Sequence, residues 1–119
     1  SLHPSHISSD VDIPVDVNEE DAYLPLLADG LEQLEGFGLP DLAIVLYGAD
    51  PYERDELPSS GGIRLSLAQM MERDQLVYKF LRERRIPRAY LKAGGYGSYA
   101  WEPLTQFLTW YLREELSDR

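Results

Sequence analysis

The sequence predicts an α/β fold in which parallel strands are joined by crossover helices. Short apolar, β-branched runs alternate with stretches of helical period, in the order extended, helix, strand, helix, strand, helix. Strands separated by helices pair in parallel through right-handed crossovers. The chain has 119 residues, enough for one domain. We read residues 1–10 as an irregular tail and 11–119 as one α/β segment.

Each element follows from a local pattern. Val11–Val17 alternates apolar residues with Asp and Pro, and Pro14 limits it to an edge strand or an extended lead-in. Asn18-Glu-Glu-Asp21 starts a helix with acids in its first turn. Tyr23, Leu26, Leu27, Leu31 and Leu34 keep the helical period, with Pro25 expected near the first turn. Gly36 and Gly38 end that helix. Leu42-Ala-Ile-Val-Leu-Tyr47 is a continuous apolar run, expected to be a strand buried on both faces. Residues 48–65 read as a long loop, and ordered loops of that length are often functional. Ser66-Leu-Ala-Gln69 is a capping box, followed by an apolar stripe of Leu67, Met70, Met71, Val77, Tyr78 and Leu81. Pro87 stops this helix, and Arg88–Lys92 is a second, weaker strand. A glycine turn at 93–97 leads to a last helix, expected to present Trp101, Leu104, Phe107, Leu108, Tyr111 and Leu112 on its apolar side.

Composition excludes several functions. The formal net charge is −10, so the chain repels polyanions and nucleic acid is not expected as a partner. The acidity is concentrated: residues 1–60 carry a net −13 and residues 61–119 a net +3. Arg82, Arg84, Arg85 and Arg88 cluster. They complement a helix C-terminus, or they dock an acidic surface such as the first half of the chain. The absence of Cys excludes disulfides, thiolate metal sites and a Cys nucleophile. No apolar run approaches ~18 residues, so no membrane partner is expected. The first residues lack signal-peptide features and an initiating Met, so we expect a cytoplasmic, soluble piece of something longer.

In open parallel sheets, ligands sit beyond the carboxyl ends of the strands. Asp50 follows the first strand there, and Tyr96 follows the second. If the strands are neighbours, the two share one rim. Asp50 reads either as a metal ligand or acid–base group, or as a cap for the turn before Pro51. Tyr96 reads either as a phenol that donates to a developing oxyanion, or as a packed tyrosine. His3 and His6 have metal-like spacing, but an irregular tail gives them no fixed geometry.

Four stretches, in order, resemble the carboxyl-terminal part of the histone deacetylase superfamily, which includes acetylpolyamine amidohydrolases and acetoin-utilization proteins. They are Asp12-Ile-Pro-Val15 with Glu19–Leu24; Pro40-Asp-Leu-Ala-Ile-Val-Leu-Tyr-Gly-Ala-Asp50; Tyr52–Leu57; and Ala93-Gly-Gly-Tyr96. Arg73–Tyr78 and Arg85-Ile-Pro87 are most similar to the class IV deacetylases and their bacterial relatives.

The resemblance implies a partial arginase–deacetylase-like fold and a catalytic Zn²⁺. It makes Asp50 a metal ligand and Tyr96 the residue that polarises the acyl carbonyl. Gly94 and Gly95 let that turn approach substrate, Leu57 lines an acyl tunnel, and Asp55 organises its loop. The substrate implied is an N-acylated lysine or amine in the full-length protein.

This sequence also departs from the family pattern. Lys92, Ala93 and Arg54 stand where glycines are usual, and the family's other metal ligands and paired histidines are absent. The isolated chain is therefore expected to be inactive, to hold zinc poorly, and to oligomerise or swap elements through bare edges. The alternative is a stand-alone, non-catalytic α/β interaction module.

Overall fold

The computed structural model describes residues 9–13, 20–49, 51–53, 64–94 and 98–117. Its elements are α1 (Glu20–Glu35), β1 (Ala43–Tyr47), α2 (Leu67–Glu83), β2 (Arg88–Lys92) and α3 (Trp101–Ser117). Among the described residues the sheet has two strands, paired in parallel from Ala43 opposite Arg88 to Tyr47 opposite Lys92. The predicted order and pairing hold for all five elements.

Helix α1 carries Glu20 and Asp21 in its first turn, where acids oppose the exposed N–H dipoles. Pro25 is its sixth residue and so lies beyond the first turn, which corrects the expected placement. Its missing N–H leaves the Asp21 carbonyl unpaired within the helix, and both residues are exposed to water that can serve instead. Beyond the helix, Gly38 has φ +103°, which suits glycine. Of the Val11–Val17 stretch, residues 11–13 are not strand, and the rest lie outside the described residues. Ile13 instead seats its side chain at Gly30 of α1, where a β-carbon would collide with its terminal methyl.

Helix α2 starts at the predicted capping box. The Gln69 N–H donates to Ser66 Oγ at 3.1 Å, and the Ser66 N–H donates back to Gln69 Oε1 at 2.9 Å. It ends in a Schellman motif: the Ile86 N–H donates to the Leu81 carbonyl at 2.9 Å and the Arg85 N–H to that of Arg82 at 3.0 Å. Arg85 takes the left-handed conformation (φ 55°) that this motif requires. Leu81 and Ile86, both buried, make the apolar contact that accompanies it.

Helix α3 lays its rings on one face of the sheet, Arg73 of α2 reaches the same face at Tyr47, and α1 and α3 both pack on α2. Tyr47 stacks on Phe107 of α3 at 5.2 Å, and Tyr90 meets Phe107 and Tyr111 at 5.1 and 5.5 Å. The buried Tyr78 of α2 meets Trp110 and Tyr111 edge-on. Such pairs each add roughly 0.5–1.5 kcal/mol beyond area burial. A second core joins Ala49, Tyr52, Leu65 and Met70, with Tyr23 and Leu67 against it.

The opposite face is bare. Ile44 is 61% exposed, Leu46 70% and Leu91 51%, so β1 is not buried on both faces as expected. An apolar run records that both faces avoid water but not what covers them, and the described helices cover only one. Helix α3 is likewise split. Of the expected apolar side, Phe107 turns inward, whereas Trp101, Leu108 and Leu112 are exposed.

Three of the four clustered arginines are tied within the chain. Arg84 pairs with Glu35 of α1 at 2.5 and 3.1 Å, which reaches the acidic half as one reading anticipated. Arg82 pairs with Glu114 at 3.1 Å and Arg88 with Glu115 at 2.7 Å, both on α3. Tyr78 also donates to Glu115 at 3.0 Å. Burial works against ionisation of Glu115, but the hydrogen bonds from Arg88 and Tyr78 outweigh it and hold its carboxyl below the ordinary value.

Candidate functional site

The parallel pairing carries the carboxyl ends of β1 and β2 out side by side. The Ala93 N–H donates to the Tyr47 carbonyl at 2.5 Å, and the Ala49 N–H donates to the Gly94 carbonyl at 2.9 Å. The ladder thus runs past the strand ends, up to the residues next to Asp50 on one side and Gly95 on the other. Asp50, Leu57, Gly95 and Tyr96 themselves lie outside the described residues, as do His3, His6 and Asp55. Gly94 is the one predicted site residue described, and it is half-buried at this rim.

Just after Asp50 the chain is pinned again. Tyr52 bridges Leu65 in parallel fashion, with Glu53 N–H to Leu65 O at 2.9 Å and Leu65 N–H to Pro51 O at 2.7 Å. Tyr52 and Leu65 are both buried, and the Tyr52 hydroxyl donates to Glu102 on α3 at 2.9 Å. The base of the 54–63 stretch is therefore closed by backbone bonds.

A cleft of about 180 Å³ opens at this rim. Tyr47, Ala49, Lys92, Gly94, Trp101 and Leu104 line it. Lys92 and Trp101 are functional candidates that the sequence reading did not assign to a site. Both sit next to the glycine turn, and that adjacency was the available signal. Lys92 is one of the residues standing where the resemblance expects glycine, so a cation replaces bare backbone at the mouth.

Behind the rim lies a buried ion pair. Arg73 Nε and Nη2 converge on Asp74 Oδ1 at 2.9 and 2.8 Å, and Arg73 Nη1 donates to the Gly48 carbonyl at 2.7 Å. The guanidinium lies over the Tyr47 ring, 5.1 Å from its centroid. Asp74 is 5% exposed, and its Oδ2 finds no hydrogen-bond partner among the described residues. Burial pushes its carboxyl up to about 6, against the opposing pull of Arg73. Burial likewise raises the Tyr47 and Tyr90 phenols above their ordinary value. The sequence reading missed this pair as well. The signal was Asp74 itself, a charge at helical spacing between Met70 and Tyr78 on the buried stripe.

Among the described residues no three His, Cys, Asp or Glu side chains form a group that could hold a metal. A catalytic zinc site takes three protein ligands. The described residues therefore do not fit one by themselves, and the one predicted ligand, Asp50, lies outside them.

The sequence comparison agrees with the motifs in kind. Over 76 residues, 64% of the chain, the sequence is 36% identical to "Histone deacetylase 2" of Arabidopsis thaliana. The likeness is to a deacetylase. It is a distant one, and the matched stretch is 19% of that relative's length. No protein-family model matches the chain, and no solved structure matches it. Among the described residues, no helix is long and apolar enough to cross a membrane.

Proposed function

We propose that this chain is the carboxyl-terminal segment of a zinc-dependent, deacetylase-like amidohydrolase that hydrolyses N-acyl amides of the acyl-lysine or acetylpolyamine type. The observation that carries the reading is the hydrogen bond from the Ala49 N–H to the Gly94 carbonyl at 2.9 Å. It joins Ala49, one residue before Asp50, to Gly94, two residues before Tyr96, and the resemblance assigns those two to metal binding and carbonyl polarisation.

In this reading Asp50 is one metal ligand among others contributed by the rest of the protein. The Tyr96 phenol donates to the oxygen that gains charge as the acyl carbonyl is attacked. Gly94 and Gly95 keep side chains out of the approach to that carbonyl, and Leu57 lines the acyl channel. Likeness to the plant deacetylase supports the chemistry, and the alignment of strand ends supports the assignment of residues.

The test uses the full-length product of the gene that encodes this chain, assayed for zinc content and acyl-lysine hydrolysis. Asp50→Ala is expected to lose both. Tyr96→Phe is expected to keep zinc and to lose roughly 10²–10³-fold in kcat, the usual cost of one oxyanion donor. Unchanged zinc and turnover in both variants overturns the assignment, and so does turnover by the 119-residue chain alone.

The bare face of Ile44, Leu46 and Leu91 favours a second reading, a non-catalytic module that docks a protein partner. Zinc-free, inactive full-length protein would favour it.

A further inference from the structure

One peptide unit at the end of β1 is held from both sides. The carbonyl of Gly48 and the N–H of Ala49 belong to the same peptide group. The carbonyl accepts from Arg73 Nη1 at 2.7 Å, and the N–H donates to the Gly94 carbonyl at 2.9 Å. Glycine at position 48 leaves this peptide free to rotate, because no β-carbon restricts its torsions. The two bonds, aimed in opposite directions, remove that freedom. The next residue is Asp50.

The arginine is itself fixed. Its Nε and Nη2 share Asp74 Oδ1, and its flat face lies on Tyr47, so all three guanidinium nitrogens are committed. The side chains of Arg73 and Asp74 are 12% and 3% exposed. A planar fork with fixed donors sets a position in a way that the single ammonium of lysine does not. Burying such a pair is an inefficient route to stability, since apolar residues of similar volume commonly serve as well. The unpartnered Asp74 Oδ2 shows that its desolvation is not fully offset. A costly pair whose free donor reaches one strand-end carbonyl is better explained by what it holds.

We propose that Arg73, aligned by Asp74, is a positioning residue that locks the Gly48–Ala49 peptide and so fixes the backbone from which Asp50 follows. The role of Asp50 as a ligand rests on the deacetylase-like reading above; the lock on the peptide does not.

The experiment separates the two. In the full-length gene product, Arg73→Lys and Asp74→Asn are compared with Leu81→Ala, a buried α2 substitution away from the β1 carboxyl end. Hydrogen exchange at the Ala49 amide and zinc affinity are read in each. Arg73→Lys is expected to speed Ala49 exchange at least about tenfold beyond Leu81→Ala, as loss of a charge-assisted hydrogen bond implies. Zinc is expected to bind roughly 10–100-fold more weakly, with KM for acyl-lysine unchanged. Asp74→Asn is expected to show the same pattern, because it releases the arginine.

Ala49 exchange no faster than in Leu81→Ala overturns the lock, whatever zinc does. Faster exchange with unaltered zinc affinity overturns the link to Asp50. Faster exchange in a protein that binds no zinc in its native form upholds the lock and overturns the deacetylase-like reading instead.

Discussion

Gly30 lies inside α1, where glycine costs about 1 kcal/mol relative to alanine. Gly30→Ala should therefore stabilise the helix by that amount if nothing else touched the position. The structure places the terminal methyl of Ile13 where the new β-carbon would go, with Val11 Cγ1 3.9 Å away. Ile13 must then swing aside. It is half-buried, so losing its seat forfeits about half of the roughly 1.5–3 kcal/mol that full burial of such a side chain provides. The two effects nearly cancel, and Gly30→Ala is expected to change stability by no more than about 0.5 kcal/mol in either direction. With Ile13→Ala already present the collision is gone, and the same substitution should stabilise by about 1 kcal/mol. The coupling of about 1 kcal/mol, half the burial value of Ile13, is read from a double-mutant cycle of urea melts followed by helical circular dichroism. Equal stabilisation by Gly30→Ala in both backgrounds would refute the reasoning. The 9–13 segment would then not pack on α1.

Two further outcomes follow from the geometry. The Asp74 carboxyl, raised to about 6 from an ordinary 3.8, binds a proton more readily in the folded state than in the unfolded one. Its contribution to stability is thus fully present below about pH 4 and is lost as pH rises through 6. A carbon-13 titration of the Asp74 carboxyl should show a midpoint near 6, and a midpoint at or below 4 would contradict the burial argument. Arg85→Gly should stabilise the chain by roughly 1 kcal/mol, because φ 55° strains any residue with a β-carbon. A denaturant midpoint that does not rise would mean that another contact of Arg85 outweighs the strain.

Much of the fold was legible because local signals agreed with one another. Ser66 and Gln69 announce the start of α2, and Gly36 with Gly38 announces the end of α1. The alternation of strand and helix gives the parallel pairing that the register then realises. Burial was less legible. Ile44 and Val45 are alike as residues, yet one faces water and the other is half-buried, since cover depends on elements that the run itself does not encode. The split of α3 has the same cause: Phe107 and Leu108 differ in what lies opposite them, not in hydrophobicity. At the rim, topology alone brought Ala49 and Gly94 together. The Arg73–Asp74 pair stayed hidden because it depends on a contact between residues 48 and 73, a separation that no local pattern reports.

The bridge between Tyr52 and Leu65 bears on how such a protein can diversify. Backbone bonds join Pro51 and Glu53 to Leu65, and Tyr52 and Leu65 are buried, so the two flanking segments are held together by their own contacts. Doubling a loop costs only about 0.6 kcal/mol. A change in the number of residues between those anchors is then expected to cost the fold little in closure entropy. Two anchoring residues thus uncouple the length of that connection from the maintenance of the scaffold, and comparing loop lengths among relatives would expose that freedom directly.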